Sequence, residues 1–240
     1  MVLLLRFKRM ADEFPWLPYL LQTADALFPT GAYAHSLGFE ESVRLGVVRD
    51  EASLSDFLRD QIVPAQREHE LPYLRFAFDA AHAGHLAELR RLDLAISAWK
   101  LAPETRDASA QLGTRRLKAL RAISDAPLLR AFEQIITSGA ARGHHLVVCG
   151  LQASAEGVPL RAALAASFYQ SLAAICAAAM KLVRIGQDGV QRALRSTAAA
   201  MEANIAASLA VSKASAGWFN PLLEIASLRH ERADERLFIS

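Results

Sequence analysis

Cysteine is scarce. Only Cys149 and Cys176 occur, and no C-x-x-C pair is present. Two thiols do not make a disulfide framework, so the reading is a reduced, cytoplasmic setting. No G-x-x-x-x-G-K-[ST] loop is present to cradle phosphates, and no G-x-G-x-x-G follows a strand. The G-x-S-x-G elbow is missing, which leaves acyl transfer without an evident nucleophile. Charge of one sign is lacking: 27 Lys+Arg face 25 Asp+Glu, for a formal +2. The two signs are interspersed, and a nucleic-acid surface would need a concentrated basic stripe. β-branched runs are nearly absent, which argues against sheet.

Alanine and helical periodicity take the place of these features. Hydrophobic residues make up 52% of 240 residues, enough for a sizeable core. The pattern predicts an all-α protein with a single domain of nine or ten helices over residues 19–217. Residues 1–18 form a separate N-terminal segment, frayed or partner-docking, and residues 218–240 a distinct tail. In the N-terminal segment the apolar run Val2 to Leu5 precedes Arg6, Lys8 and Arg9, the reverse order from a secretory signal. Ala162 to Met180 carries no charge. It is mostly alanine, which supplies little insertion energy, so it reads as a buried central helix and not a membrane span.

Proline and glycine divide the helices. Tyr19 to Leu27 reads as a short helix stopped by Phe28-Pro29-Thr30-Gly31, and the next runs from Ser36 to Leu45, ending at Gly46. Ser53 is the expected cap of a third, with Asp56 at the capping-box position. Pro64 and Pro72 would kink or split that region. Further helices are expected from Leu86 to Trp99, from Pro103, from Pro127, from His144 to Ala155 and from Pro159 to Ile185. A last long helix carries Leu194, Ala198, Met201, Ile205 and Leu209 as one stripe and breaks at Gly217.

Candidate chemistry is thin. His145 and Cys149 are four apart and share a helix face, and His82 and His85 are three apart. Each pair is half a metal site, since a soft-metal site takes three or four ligands. The bland reading makes His145 a capping or core histidine and Cys149 an apolar filler. Glu40 and Glu41 are adjacent, face different directions and do not form a carboxylate dyad. They read as exposed helix surface, as do Arg115, Arg116 and Lys118. No metal ligand set, cofactor or catalytic group is expected. The tail differs: Arg229-His230-Glu231 and a charged run precede Arg236-Leu237-Phe238-Ile239. That apolar end must tuck onto the body or be covered by a partner.

Three stretches resemble the UreF family of urease accessory proteins. The first runs through Leu20-Leu21-Gln22, Asp25 to Gly31 and Tyr33-Ala34-His35-Ser36-Leu37-Gly38-Phe39-Glu40. The second runs from Gly143-His144-His145 through Lys181-Leu182-Val183 to Gly186-Gln187. The third is Ile225 to Glu231 with the closing Arg236-Leu237-Phe238. A weaker match surrounds Glu104-Thr105-Arg106-Asp107-Ala108-Ser109, and Phe219-Asn220-Pro221 is a variant of the family's lead-in to the tail.

The resemblance implies an all-α homodimer that is not an enzyme. It implies binding to the accessory protein UreD (also called UreH), then to the GTPase UreG, and docking on apo-urease during nickel insertion. From charge pattern and composition, no nucleic-acid or membrane partner is expected. Partner-binding roles fall by the same likeness on Tyr33, Glu40, Lys181, Arg229, His230, Glu231, Arg236, Leu237 and Phe238. Within that set Tyr33 is expected to support the tail through Arg236. The rival readings are a helical adaptor unrelated to urease and a metal-dependent helical enzyme using His145 and Cys149.

Overall fold

Proline sets many of the helix starts. In the computed structural model, which describes residues 14–31 and 38–230, Pro103 and Pro127 occupy first turns and Pro159 stands at an N-cap. The missing amide costs nothing there, because the first turn has no intrahelical acceptor. Among the described residues there are eleven helices and no strand. They are α1 (Leu17–Ala24), α2 (Phe39–Arg44), α3 (51–82), α4 (Leu86–Trp99), α5 (Pro103–Arg121), α6 (Pro127–Thr137), α7 (His145–Ala155), α8 (Leu160–Leu182), α9 (Gln187–Ala198), α10 (Met201–Ala210) and α11 (Pro221–His230).

Helix α3 differs from expectation at two points. Its N-cap is Asp50, whose carboxylate accepts from the Ser53 amide at 2.9 Å while Ser53 Oγ accepts from the Asp50 amide. Ser53 is therefore the third residue of the capping box, not the cap. Pro64 and Pro72 do not split the helix. Each follows a π-helical stretch, Leu58–Ile62 and Gln66–Glu70. A wider turn ahead of a proline relieves the clash of its ring with the carbonyl one turn back.

The expected last long helix is two. It breaks at Ala199-Ala200, so the stripe from Leu194 to Leu209 is shared by α9 and α10, and Gly189 lies inside α9. The tail contains a helix of its own, α11. Asn220 caps it by accepting from the Leu222 and Leu223 amides, and Pro221 follows in the first turn.

The core has two lobes. One is built on α8, with Leu164, Phe168, Leu172 and Ile175 packed against Phe39 of α2, Leu54 and Phe57 of α3, and Val190 of α9. The other joins the second half of α3 to α4 through α7, around Phe76, Leu89, Ile96, Leu120, Phe132 and Val147. Helices α3 and α7 pack most extensively. They meet at Gly150, where a Cβ would overlap the Leu74 carbonyl and come within 2.7 Å of the Phe78 amide nitrogen.

Helix α8 is long and apolar enough by composition to cross a membrane. Here it packs against α9, α10, α3, α1, α2 and α7.

Candidate functional site

The tail helix is clasped to the body by charge. His230, 1% exposed, is the last residue of α11 and lies between two carboxylates. Its Nε2 is 3.0 Å from Glu40 Oε2, on α2, and its Nδ1 is 3.2 Å from Glu104 Oε2, in the first turn of α5. Carboxylates only accept, so both contacts are completed when both ring nitrogens carry hydrogen and donate.

Beside this clasp, Glu41 is 1% exposed. It accepts from Arg44 Nε at 2.6 Å and Nη2 at 2.9 Å, and Arg229 Nε of the tail lies 3.0 Å away. The Arg44 hydrogen bonds hold its carboxyl below the ordinary glutamate range against the cost of burial, and the charges of Arg44, Arg229 and His230 add to this. Helix α2 thus offers adjacent carboxylates to adjacent basic residues of α11. Being about 100° apart, Glu40 and Glu41 each take one of them.

The approach of α11 depends on Gly38. Its φ is +79°, and a Cβ there would lie 3.2 Å from Ser227 Oγ and 3.4 Å from the Leu223 carbonyl oxygen. Only glycine adopts this angle without strain while leaving room for a helix backbone alongside. Ala226 and Ser227 are buried on the inner face of α11, whereas Leu222, Ile225 and Leu228, three apart, stay exposed on the outer one.

Of the residues singled out from sequence, Glu40, Arg229 and His230 converge in this clasp. Glu40 and Glu41 are not solvated helix surface, as pattern alone had suggested. Lys181 lies exposed in the last turn of α8. Tyr33, Glu231, Arg236, Leu237 and Phe238 lie outside the described residues, and so does the expected Tyr33–Arg236 contact. Glu104 is a clasp residue missed as a site. Its signal was an acid in the first turn of a proline-started helix, within the weaker family-like stretch.

The basic cluster also divides. Arg116 is 6% exposed, not on a solvated face. Its Nε donates to Gln152 Oε1 at 2.6 Å and its Nη2 to the Thr23 carbonyl at 3.0 Å, and it lies over the Phe28 ring. It pins the C-terminal end of α1, where helix carbonyls lack partners, against α7.

His145 and Cys149 do meet, with Nε2 and Sγ 3.4 Å apart. Burial raises the Cys149 thiol above its ordinary range, so it is not a ready thiolate. Among the described residues no group of three or more His, Cys, Asp or Glu side chains is placed to hold a metal ion. His144 is fully buried and serves structure. Its ring joins Ser97 Oγ at 2.7 Å to Ser109 Oγ at 3.1 Å, and its amide donates to Asp93 Oδ2 at 2.6 Å.

Known proteins agree with the sequence resemblance. The UreF family model matches residues 48–198. A protein of Paenarthrobacter aurescens (strain TC1) described as urease accessory protein UreF is 34% identical, covering 92% of this chain and 96% of that one. Proteins with the same description from Arthrobacter sp. (strain FB24) and Actinobacillus pleuropneumoniae serotype 3 (strain JL03) are 31% and 29% identical, again covering 92% of this chain. With a matching model over more than half its length and full-length relatives above 30% identity, the chain belongs to the UreF family.

Proposed function

We propose that this chain is a urease accessory protein that works as a non-catalytic scaffold and gate, holding partner proteins together while nickel is delivered to apo-urease. Nickel is cargo in this reading. The supporting observation is the state of α11: Arg229 and His230 hold it inward against Glu40, Glu41 and Glu104 while its outer apolar stripe stays exposed. A helix positioned in advance costs less entropy to bind than a free segment. An amphipathic helix presenting anchors three apart is a common mode of protein recognition. UreD/UreH is the partner assigned to this face, with the GTPase UreG recruited onto the resulting complex. By the family resemblance Arg236, Leu237 and Phe238, which lie outside the described residues, are further contacts, with Tyr33 as the support of Arg236. Lys181 and Glu40 retain the partner-binding roles that the family resemblance gives them.

The test is capture of purified UreD/UreH by Ile225→Asp and Leu228→Asp variants. Both positions are exposed, so the fold should survive, as circular dichroism would show. Capture should fall by about tenfold or more, as a desolvated charge at an interface costs several kcal/mol. Undiminished capture by the folded variants would remove α11 from the interface.

A further inference from the structure

A cleft of about 440 Å³ opens beside α11, lined by Ala95, Ala98, Trp99, Leu101, Trp218, Phe219 and Glu224. Three of these are aromatic and partly exposed, from 37% for Trp218 to 61% for Phe219. Apart from Glu224 the lining is uncharged. Trp99 is fixed in place: its ring packs 5.7 Å from His69, and Gly217 lies so close that a Cβ would overlap the indole.

Glu224 is the unusual member. Its Oε2 is buried and has no hydrogen-bond partner among the described residues. Burial raises its carboxyl above the usual range, offset in part by the charge of Lys100 and by the Ala102 amide. Lys100 forms no ion pair with it within 4 Å among the described residues. A buried carboxylate oxygen left unpaired costs about 1–3 kcal/mol or more. Glu224 also lines the aromatic cleft, so a donor entering the cleft would come beside this carboxyl. The missing group must carry N–H hydrogens for the carboxylate, positive charge to offset its desolvation, and a flat or compact shape that packs against ring faces. Guanidinium and ammonium groups satisfy all three, and guanidinium also stacks on indole.

We propose that this cleft receives an arginine side chain of a protein partner, whose guanidinium stacks among Trp99, Trp218 and Phe219 and donates to Glu224. The proposal rests on the scaffold reading, since it supplies a side-chain socket next to the exposed stripe of α11. It is tested independently of any partner, so the two can fail separately: the Ile225 and Leu228 variants line the stripe and leave the cleft intact.

The experiment uses the full chain and N-acetyl-arginine methylamide, with the neutral citrulline analogue as control. The indole N–H signals in NMR report binding, and Trp16, outside the cleft, serves as an internal reference. The Trp99 and Trp218 signals should shift saturably with the arginine probe and not with citrulline, while Trp16 stays still. Glu224→Gln, nearly isosteric, should weaken the response by about tenfold, the loss of a charged hydrogen bond. Phe219→Ala, at an exposed position, should weaken it without disturbing Glu224. Equal shifts with citrulline, or an arginine response unchanged in Glu224→Gln, would overturn the proposal. Absence of any shift at Trp99 and Trp218 would overturn it as well.

Discussion

Single residues in this protein often owe their state to burial. His69 packs 4.9 Å from Tyr73, its Nε2 is buried without a partner among the described residues, and burial pushes it down to about 3. His144 is pushed to about 3 by the same cause, with nearby cations adding. A folded-state value below the unfolded value near 6.5 means that, between those limits, the unfolded chain binds a proton the folded one does not. Stability from these histidines is complete above about pH 6.5 and is lost as pH falls toward 3. The loss reaches about 1.4 kcal/mol per pH unit for each ring. His69→Phe should therefore flatten the decline of the urea midpoint between pH 6.5 and 4.5 while leaving it equal or higher at pH 7. Parallel curves for the two proteins would show that His69 does not carry this dependence. Asp93 is fully buried on α4 and accepts the Arg142 and His144 amides, both at 2.6 Å. It thereby takes up amide hydrogens at the start of α7 from outside that helix. Asp93→Ala would leave the buried His144 amide and the part-buried Arg142 amide unpaired and should lower stability by about 2–4 kcal/mol, read from denaturant unfolding.

At the scale of elements, α11 and α2 form a unit whose fit depends on one backbone angle and two pairs of charges. Gly38→Ala forces a side chain into a left-handed conformation, at about 1–2 kcal/mol, and presses it against α11. Hydrogen exchange should show loss of protection concentrated in α11 and α2, with α4 to α7 unaffected; a uniform loss would contradict a local hinge. Glu40→Gln and His230→Gln should each speed exchange in α11 by up to about tenfold, because each removes a charge-assisted contact. Combined, they should cost less than the sum, since each single change already breaks the shared contact. Additive effects would mean that the two side chains act separately. The composition of α11 conceals this arrangement. Its last residue, His230, is buried while Leu222, Ile225 and Leu228 point out, the reverse of an ordinary surface helix.

For the molecule as a whole, apolar surface remains after both core lobes are filled. Leu222, Ile225, Leu228, Phe219 and Trp218 remain exposed around the tail, as do Trp99 and Leu101 in the adjoining cleft. Contiguous apolar surface of this kind marks association, and closed two-fold dimers are the commonest homo-oligomers. The homodimer implied by family resemblance is therefore kept as a proposal. Light scattering at micromolar concentration should give about twice the 26.2 kDa chain mass. A strict monomer would assign this surface to other proteins alone.

What the sequence determined by itself was local. Alanine-rich periodicity, proline at helix starts and glycine at helix ends carry backbone preferences that act within a few residues, so the all-α class and most helices were legible. The short-range signals failed where neighbours in space decided the outcome. The π-helical turns let α3 continue through two prolines by widening the turn ahead of each ring. Ala199-Ala200 ended a helix that alanine would ordinarily extend. The clasp was not legible either. Glu40, Glu104 and His230 are separated by 64 and 126 residues or more, and no pattern along the chain places them together. Only the packing of α11 across α2 and α5 made adjacent acids into partners for adjacent bases, and only that packing left Glu224 buried with an oxygen unpaired.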